Sequence, residues 1–402
     1  METAGIIIEY DPMHTGHLYQ LAELRRRLGE DTAVIGVMSG DFVQRGEFAV
    51  AGRFARAGAA VRSGVDLVLE LPLPWATGSA ERFAEGGVAV LAGTGLADTL
   101  VFGSECGDGA ALERLAAALL SEDFPAALRA ELAAGDSFPA ARQRVAARLL
   151  TEADAELLAQ PNNILGVEYC KALLRRASSI RPLTIQRRGG GYHDEAVTED
   201  LPSATLVRAL LREGRREEAL ARMAPAMAEA YREEERRGRA PVWRESCERA
   251  ILARLRTMDE EDFAALDEGR EGLYRRMYQA SREAASLDGV LEAAKTRRYP
   301  LARLRRMVLW AYLGLTPADV PETVPYLRVL AANGTGRALL GRMRTTARLP
   351  VVTKPADART LGPEAERLFE LEARAADLYA LAYPDLSAAV GGALWRTGPI
   401  LS

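Results

Sequence analysis

Lysine, histidine and cysteine are scarce in this chain of 402 residues, which has three of each beside 49 arginines. Cys106, Cys170 and Cys247 are an odd, scattered set without CxxC spacing, which argues against a disulfide framework and against a zinc site. No apolar run reaches the roughly 18 residues that a membrane helix needs, and the start lacks the pattern of a signal peptide. We therefore expect a cytoplasmic protein without a membrane partner.

Two of the three histidines stand together in the string GIIIEYDPMHTGH over residues 5–17. This string predicts a buried strand, a Pro-bent turn and a helix start, where backbone N–H groups and the helix dipole hold a phosphate. His14 and His17 can lie on one face and donate to one anion, and Gly16 allows close approach of the backbone. Donors aimed at non-bridging oxygens suit attack at an α-phosphate, so we interpret both histidines as catalytic. Two surface histidines beside a turn are the alternative.

A second anion site is predicted near residue 200. Arg187 and Arg188 end a strand and precede three glycines, which suits a polyphosphate, although a flexible surface hairpin is the alternative. Ser203 and Thr205 open a helix, where hydroxyl and backbone groups can bind phosphate oxygens together. Arg208 follows a little over one turn later and can neutralise a leaving pyrophosphate. The two sites are expected to face one crevice.

The apolar pattern predicts an α/β half followed by a helical half. Strands that alternate with amphipathic helices indicate a parallel, Rossmann-like sheet with helices on both faces and ligands at the carboxyl ends of its strands. After about residue 215 Glu and Arg at helical spacing replace the strand signal. We predict a phosphate-binding domain over residues 1–215 and a mainly α-helical domain over residues 216–402. The predicted strands are Gly5–Tyr10, Ala33–Met38, Leu67–Leu71, Thr99–Phe102 and Leu183–Gln186.

Loops at the strand ends carry further candidates. Gly103 ends the fourth strand, where the missing side chain lets an adenine or ribose lie against the backbone. Asn162 precedes an apolar periodic run and is either a helix cap or a nucleotide contact. The string MSGDFVQRGE over residues 38–47 either touches a ligand or turns the chain. Within it Asp41 and Glu47 are both candidates for accepting a proton, and the sequence does not choose between them.

A basic stretch stands out against the net charge of −4. Between Leu291 and Pro350 eleven Lys or Arg residues stand against three acids. A basic face on an acidic protein fits a polyanion such as RNA, and a solvated arginine-rich helix is the alternative. Four aromatic residues among these charges could stack on bases, although the second and third are as well suited to a core: Tyr299, Trp310, Tyr312 and Tyr326.

The early HxGH and the later S-x-T-x-x-R resemble the nucleotidyltransferase superfamily, which includes the adenylyltransferases of coenzyme synthesis and the class I aminoacyl-tRNA synthetases. Over nearly the whole chain the arrangement of motifs is similar to that of the bacterial tRNA(Met) cytidine acetate ligase family. The motifs that carry this resemblance are GIIIEYDPMHTGH, VMSGDFVQRGE, VDLVLELP, FGSE, QPNNILGVEYCKAL, RRGGGYHD, SATLVR, TRRYPLARLRRMVLWAYLG and YLRVL.

The resemblance implies that ATP activates acetate as acetyl-adenylate, with release of pyrophosphate. The acetyl group then passes to N4 of the wobble cytidine of elongator tRNA(Met). We expect ATP and Mg²⁺ as cofactors, acetate and this tRNA as partners, and no DNA partner. The ATP contacts that carry over from the family are extended by four residues of the second anion site: Arg188, Ser203, Thr205 and Arg208. Those contacts are Ile7, Ile8, Glu9, Tyr10, Asp11, Pro12, Met13, His14, Thr15, Gly16, His17, Leu18, Tyr19, Gln20, Gly103, Asn162 and Arg187.

The chain departs from the usual form of the first motif, NPFHNGH, at Asp11, Met13 and Thr15. Asp11 adds a negative charge near the nucleotide. Three isolated lysines exclude a KMSKS-like loop, which argues against an aminoacyl-tRNA synthetase. Two other functions stay open. One is a small-molecule adenylyltransferase of coenzyme synthesis, which needs no tRNA surface, and the other is a non-catalytic protein that binds ATP and tRNA.

Overall fold

The structure, a computed structural model, describes residues 2–133, 138–187 and 202–402. Within these ranges ten strands form one large sheet and one small hairpin. The strands are β1 (Thr3–Ile8), β2 (Ala33–Ser39), β3 (Phe42–Val43), β4 (Glu47–Phe48), β5 (Leu67–Leu71), β6 (Thr99–Ser104), β7 (Arg181–Gln186), β8 (Leu327–Ala332), β9 (Val351–Val352) and β10 (Ile400–Leu401).

The large sheet runs in the order β10-β8-β5-β2-β1-β6-β7, and β9 pairs with β8. Strands β5, β2, β1, β6 and β7 are parallel, as predicted, whereas β8 joins β5 in the antiparallel sense. The chain passes from β1 to β2 on one side and later places β6 on the other side. The topological switch point therefore lies at β1, and a ligand is expected at its carboxyl end, where the histidine motif begins.

The five predicted strands are confirmed; β5 has the predicted bounds, and the other four have shifted ends. β1 begins earlier than the predicted Gly5–Tyr10 and stops at Ile8. It stops there because Tyr10 takes a φ of +48° and so leaves the extended conformation. β6 continues through Gly103 to Ser104 and pairs there with β7.

Helices cover both faces of the sheet, and the part of the chain that is described holds nineteen of them. They are α1 (Thr15–Leu28), α2 (Arg53–Arg62), α3 (Leu73–Ala76), α4 (Ala80–Thr94), α5 (Gly109–Leu119), α6 (Phe124–Ala133), α7 (Phe138–Leu149), α8 (Glu152–Glu156), α9 (Pro161–Arg175), α10 (Ala204–Arg212), α11 (Arg216–Arg222), α12 (Pro225–Arg236), α13 (Glu248–Thr257), α14 (Glu260–Ala265), α15 (Leu273–Glu283), α16 (Leu287–Ala294), α17 (Leu301–Leu313), α18 (Gly334–Thr346) and α19 (Pro363–Ala380).

The charge pattern predicts that strands end near residue 215, but strands continue beyond it. β8, β9 and β10 come from the second half of the chain and extend the large sheet beyond β5. β8 is hard to recognise because it carries Arg328 at a buried position. In the folded chain the carboxylates of Glu70 and Glu372, which are distant in sequence, lie 3.0 and 3.7 Å from this buried guanidinium. The second half is mainly helical, and the domain boundary at residue 215 stays a prediction.

Two apolar layers enclose the sheet. Along β2, Val34 belongs to the layer that includes α1, α2, α10 and α12, whereas Ile35 and Val37 belong to the layer that includes α4 and α9. This alternation follows from the two-residue period of a strand and gives the strand ends a rigid support. None of the helices described is long and apolar enough to cross a membrane.

Candidate functional site

The histidine motif forms the start of α1. His14 is the N-cap residue, and its Nδ1 accepts a hydrogen bond from the N–H of Gly16 at 3.1 Å. Nδ1 of His17 accepts a hydrogen bond from the N–H of His14 at 3.2 Å. The result is a reciprocal capping box, which Ser or Thr and Glu usually form, made here from two imidazoles. The ring centroids lie 3.8 Å apart, so the two rings lie together at a helix start, as predicted.

Hydrogen bonding and burial together determine the protonation of these rings. Because each Nδ1 accepts a hydrogen bond, the proton of each neutral ring is on Nε2. Burial lowers the pKa of His14 to about 4, with a smaller effect from the positive charge of Arg187. Burial lowers the pKa of His17 well below its ordinary value, and His14 and Arg187 add to this effect. At neutral pH the motif offers two uncharged Nε2–H donors.

Gly16 is required by the position of the His14 ring. A Cβ atom on Gly16 would lie 2.9 Å from Cε1 and 3.0 Å from Nδ1 of His14, so any side chain there would displace the imidazole. The same Cβ position is 3.5 Å from the carbonyl oxygen of Pro202, which precedes the N-cap residue of α10. The sequence argument for this glycine, close approach of an anion, stays a prediction. Packing of His14 is a second reason.

The rest of the predicted stretch from Ile7 to Gln20 divides between the core and the start of α1. Ile7 and Ile8 lie in β1, where a Cβ on Gly87 would meet the Ile7 side chain at 2.5 Å. Tyr10 and Met13 are buried, and the ring of Tyr10 lies 4.7 Å from that of His17. Pro12 is buried in the turn before the helix, and four further members are half-buried on α1: Thr15, Leu18, Tyr19 and Gln20.

Gly103, Asn162 and Arg187 lie around the carboxyl ends of β6 and β7. A Cβ on Gly103 would lie 3.3 Å from Cγ of Arg187, so the arginine side chain passes over the end of β6. Asn162 is in the first turn of α9 and donates from Nδ2 to Oε1 of Glu105 at 2.6 Å. These three predicted residues are therefore on the β6 side of the switch point, and the charge of Arg187 reaches both histidines.

Two residues without a predicted role, Glu105 and Asn163, hold the start of α9 against the end of β6. The Glu105 carboxylate accepts the N–H groups of Asn162 and Asn163 at 3.2 and 2.8 Å, so it caps α9 from the end of β6. The fully buried Asn163 accepts in return from the N–H groups of Glu105 and Cys106 at 3.0 and 3.1 Å. The N-terminal end of α9 indicates such a partner, because the side chain of Gln160, the N-cap residue, does not cap the helix. The first N–H groups of α9 therefore need another acceptor.

α10 begins beside the histidine motif, as the two-site prediction requires. Ser203 is its N-cap residue, with Oγ accepting a backbone N–H of the first turn, and Thr205 is exposed in that turn. The segment after α11 returns to the motif, where Met223 forms a β-bridge with His14. Arg188 lies outside the described residues.

Arg208 is held in an ion pair with Asp11. Nη1 of Arg208 donates to Oδ2 of Asp11 at 2.5 Å and to the carbonyl of Phe48 at 3.2 Å. Oδ1 of Asp11 accepts the N–H of Val50 at 2.6 Å. The side chains of Arg208 and Asp11 are 15% and 8% exposed. The protein therefore neutralises the extra negative charge of Asp11 itself. Contact of Arg208 with pyrophosphate stays a prediction, and this ion pair lowers the charge that is available to the phosphates.

Both carboxylates that the sequence offers as proton acceptors are held by arginines. Asp41, buried just before β3, accepts from Nε and Nη2 of Arg53 at 2.9 and 2.7 Å. Glu47 in β4 pairs with Arg305 at 3.0 Å and with Arg244 at 3.5 Å. In each case the charge of the carboxylate is already balanced within the protein.

Arg53 continues into a buried charge network, which we define as Asp41, Arg53, Glu70, Arg328 and Glu372. Arg53 pairs with Glu70, Glu70 lies 3.0 Å from Arg328, and Arg328 lies 3.7 Å from Glu372. Three carboxylates thus share two guanidinium groups. Burial, followed by repulsion from Glu70, raises the pKa of Glu372 to about 8. The network joins the loop after β2 to β5, β8 and α19.

Comparison with known proteins identifies the family. The family model described as HIGH Nucleotidyl Transferase matches residues 1–391. A tRNA(Met) cytidine acetate ligase of Acetivibrio thermocellus is 36% identical over 397 residues, which are 95% of each chain. This chain belongs to the tRNA(Met) cytidine acetate ligase family.

Other relatives agree with this assignment. A tRNA(Met) cytidine acetate ligase of Caldicellulosiruptor saccharolyticus is 38% identical over 391 residues, covering 96% of this chain and 95% of its own. Two crystal structures of Thermotoga maritima TmcAL are each 34% identical and cover 100% of this chain and 99% of theirs. The TM-score is 0.94 for the apo form and 0.92 for the form bound with alpha-thio ATP. The family resemblance and the α/β fold class are confirmed.

The basic stretch between Leu291 and Pro350 separates into paired and unpaired cations. At the start of α17, Arg303 and Arg306 contact Glu268 at 3.2 and 2.7 Å. The arginines of α18 and the loop after it are exposed and form no ion pair with the residues that the structure describes. These are Arg337, Arg342, Arg344 and Arg348.

α18 lies at the sheet edge opposite to the histidines. Its N-cap residue Asn333 donates from its backbone N–H to the Asp66 carbonyl at 3.0 Å and from Nδ2 to the Asp66 carboxylate at 2.9 Å. Asp66 immediately precedes β5, so this contact marks the amino ends of the parallel strands. We call the exposed arginines of α18 together with Arg348 the far-edge basic surface.

Base stacking, the expectation for Tyr299 and Tyr326, is wrong, and Trp310 and Tyr312 follow the core alternative. They belong to the core because their rings pack among apolar side chains, and the Trp310 Nε1–H donates to the buried Thr77. Their side chains are between 1% and 7% exposed: Tyr299, Trp310, Tyr312 and Tyr326.

Proposed function

We propose that this chain is an ATP-dependent ligase that activates acetate as acetyl-adenylate and transfers the acetyl group to N4 of the wobble cytidine of elongator tRNA(Met). The observation that carries the proposal is the pair of neutral Nε2–H donors at the start of α1. Family membership supports the reaction, since the curated relatives are named tRNA(Met) cytidine acetate ligases. The alpha-thio ATP bound to the Thermotoga maritima relative supports ATP as the nucleotide.

In the first step an oxygen of acetate attacks the α-phosphorus of ATP, and the bond from that phosphorus to the pyrophosphate oxygen breaks. Negative charge develops on the non-bridging oxygens, where His14 and His17 donate from Nε2. The donors are uncharged because burial keeps both pKa values low. The rate of this step is therefore expected to show no histidine titration above about pH 6.

The two sides of β1 receive the two ends of the nucleotide. Gly103 and Asn162 lie on the β6 side and are suited to the adenosine, while Arg187 lies between them and the histidines and is suited to the phosphates. The start of α10, beside the motif, gives Ser203 and Thr205 to the leaving pyrophosphate. Arg188 and Arg208 complete this set in the proposal.

In this proposal Mg²⁺ binds together with ATP and neutralises charge on its phosphates. Within residues 2–133, 138–187 and 202–402 no three His, Cys, Asp or Glu side chains are grouped to hold a metal ion. The protein residues described therefore do not form a metal site of their own, and we assign no step to one.

The far-edge basic surface is the proposed docking site for phosphates of the tRNA body. Its arginines are exposed and unpaired within the described structure, so their charges are available to a polyanion. Arg303, Arg305 and Arg306 are less suitable because acidic side chains already neutralise them. The tRNA would then extend from this edge to the histidines, over a distance of about 20 Å set by strands of six or seven residues.

The experiment that tests the function is incubation of the purified protein with ¹⁴C-acetate, Mg-ATP and total bacterial tRNA, with a control lacking ATP. ATP-dependent label in N4-acetylcytidine is the expected result. Release of AMP without labelled cytidine would contradict the proposed acceptor and indicate another acceptor or another acid. Binding of ATP and tRNA with neither AMP nor label would favour the non-catalytic alternative.

A further inference from the structure

Acetyl transfer to an amine requires a proton acceptor, and the inference that follows rests on the proposed function. The exocyclic amine of cytosine is a weak nucleophile and must lose a proton when it becomes an amide. Asp41 and Glu47 are poorly suited to accept it, because arginines hold both carboxylates. We therefore consider another carboxylate at the carboxyl ends of the central strands.

The order of strands indicates where the tRNA base enters. Gly103, Asn162 and Arg187 occupy the β6 and β7 side of the switch point, and the histidines stand over β1 itself. A nucleotide whose adenosine lies over β6 and whose α-phosphate lies at the histidines leaves the β2 side open for the acetyl acceptor. Two polar side chains lie at the carboxyl ends of β1 and β2 on that side, Glu9 and Ser39.

Within the residues that the structure describes, Glu9 has one carboxylate oxygen held in place and one without a hydrogen-bond partner. Oε1 accepts the N–H of Gln44 at 2.6 Å and lies 3.4 Å from Oγ of Ser39. Oε2 has no hydrogen bond to any residue of the described ranges. Since Gln44 belongs to the tip of the β3–β4 hairpin, this hairpin fixes the direction of the carboxylate.

The backbone beneath Glu9 is equally fixed. The guanidinium of the fully buried Arg56 donates to the carbonyl of Glu9 at 2.5 Å, and it also holds the carbonyls of Ser39 and Ala51 at 3.2 and 2.9 Å. One side chain of α2 thus ties the ends of β1 and β2 together. A carboxylate anchored in this way is preorganised for a role that needs defined geometry.

We propose that Glu9 is the general base of acetyl transfer. The lone pair of N4 attacks the carbonyl carbon of acetyl-adenylate, and the N4 proton passes to Oε2 of Glu9. The tetrahedral intermediate collapses as the carbon–oxygen bond to AMP breaks, with the electron pair leaving on the AMP phosphate. The products are N4-acetylcytidine, AMP and a protonated Glu9, which returns its proton to water.

The surroundings of Glu9 raise the pKa of its carboxyl group above the ordinary value. Burial raises the pKa of Glu9, the Gln44 hydrogen bond opposes this, and among the charged neighbours Asp11 raises it whereas Arg45 and Arg56 lower it. The buried Tyr169 also faces this carboxylate, and the Glu9 charge contributes to the raised pKa of that phenol. A raised carboxyl pKa strengthens the base relative to an exposed glutamate.

The test separates the two half-reactions in the full-length protein. Acetate-dependent exchange of pyrophosphate into ATP measures activation, and single-turnover transfer from enzyme-bound acetyl-adenylate to tRNA(Met) measures the second step. For Glu9→Gln we expect the transfer rate to fall about 10²-fold more than the exchange rate, the usual scale of general-base catalysis. Glu47→Gln, which alters an ion-paired carboxylate on the same hairpin, is the matched control and should change the two rates by similar factors.

The pH dependence of the transfer step provides the second readout. The wild-type rate should rise with pH as Glu9 loses its proton and then level off, and this rise should be absent in Glu9→Gln. Equal losses in exchange and transfer would overturn the proposal, as would an unchanged pH profile. If Glu9→Gln shows no exchange, Glu9→Asp replaces it, and a transfer rate no more reduced than the exchange rate would again overturn it. Failure of the wild-type protein to label cytidine would instead contradict the proposed function.

Discussion

Two sets of charged residues at opposite edges of the large sheet differ in whether they form ion pairs. At the carboxyl edge, beside the histidines, Asp11 is paired with Arg208 and Asp41 with Arg53. At the amino edge the arginines of the far-edge basic surface are exposed and have no ion pair within the described ranges. The paired charges position groups around a site, whereas the unpaired charges are available to attract a polyanion. The net charge of a segment does not distinguish the two, because pairing depends on residues that are distant in sequence.

The largest effect is expected from removal of a histidine donor at the carboxyl edge. His17→Ala should lower acetate-dependent AMP formation by about 10²- to 10³-fold, since one donor to the developing charge is lost. His14→Asn is a companion variant, because Asn still caps a helix while lacking the Nε2–H donor. It should keep the thermal unfolding midpoint and lose a similar factor in rate. An unchanged rate of AMP formation in both variants would contradict the role of the motif.

A smaller effect is expected when the His14 ring is displaced and both histidines remain. Gly16→Ala places a Cβ atom against His14 and should lower the rate of AMP formation by about tenfold or more, because misplacement of a catalytic group is costly. Gly341→Ala in α18 is the matched control, because a Cβ there meets nothing within 4 Å. Equal activity of the two variants in the exchange assay would show that the ring position is unimportant.

The amino edge is tested by removal of its unpaired charges. Replacement of the four far-edge arginines by Gln should lower tRNA affinity by about tenfold at moderate salt and reduce the slope of log affinity against log salt by about three. The paired Arg303 and Arg306 are the control, and their double replacement by Gln should change this slope less. Filter binding of tRNA at several salt concentrations measures both. Equal slopes for the two sets would remove the distinction between paired and unpaired cations.

Asp11 offers a way to release a paired charge at the carboxyl edge. Asp11→Asn restores the usual residue of the family motif and can still accept the N–H of Val50, but it no longer holds Arg208 by charge. Pyrophosphate inhibition should strengthen by about threefold to tenfold as the guanidinium becomes available. Arg208→Gln in the same background should abolish the gain. If Asp11→Asn leaves the inhibition constant unchanged, Arg208 does not contact pyrophosphate.

The last prediction concerns stability and the buried charge network. Burial and Glu70 raise the pKa of Glu372 to about 8, so the folded protein binds a proton there that the unfolded chain releases near its ordinary value. This contribution to stability is complete below the unfolded pKa and is lost as pH rises towards 8, by at most about 1.4 kcal/mol per pH unit. Chemical unfolding between pH 5 and 8 should show this decline for the wild type and a flatter profile for Glu372→Gln. Parallel profiles would contradict the assignment.

Local features of the fold were predictable from the sequence. The five parallel strands and the helix start at His14 follow from apolar runs and from the Gly and Pro that punctuate them. β8 was missed because its buried Arg328 contradicts a core pattern until Glu70 and Glu372 are brought to it. Such compensation over hundreds of residues leaves no periodic signal.

The same limit applies to the site. The histidine motif can be interpreted because its capping hydrogen bonds join residues that are two and three positions apart. The Asp11–Arg208 pair spans 197 residues and gives no local signal. The exclusion of Asp41 and Glu47 as free carboxylates also needed the fold, since Arg53, Arg244 and Arg305 come from separate elements. A motif at a helix start can be interpreted from neighbouring residues, whereas the ion pairs around it become visible only in the folded structure.

A chase experiment tests whether acetyl-adenylate joins the two steps of the reaction. The protein is loaded with ¹⁴C-acetate and Mg-ATP, separated from free nucleotide, and mixed with tRNA(Met) in the absence of ATP. We predict that the bound label enters N4-acetylcytidine in a single turnover. Appearance of the label as free acetate, with none in the tRNA, would contradict the account.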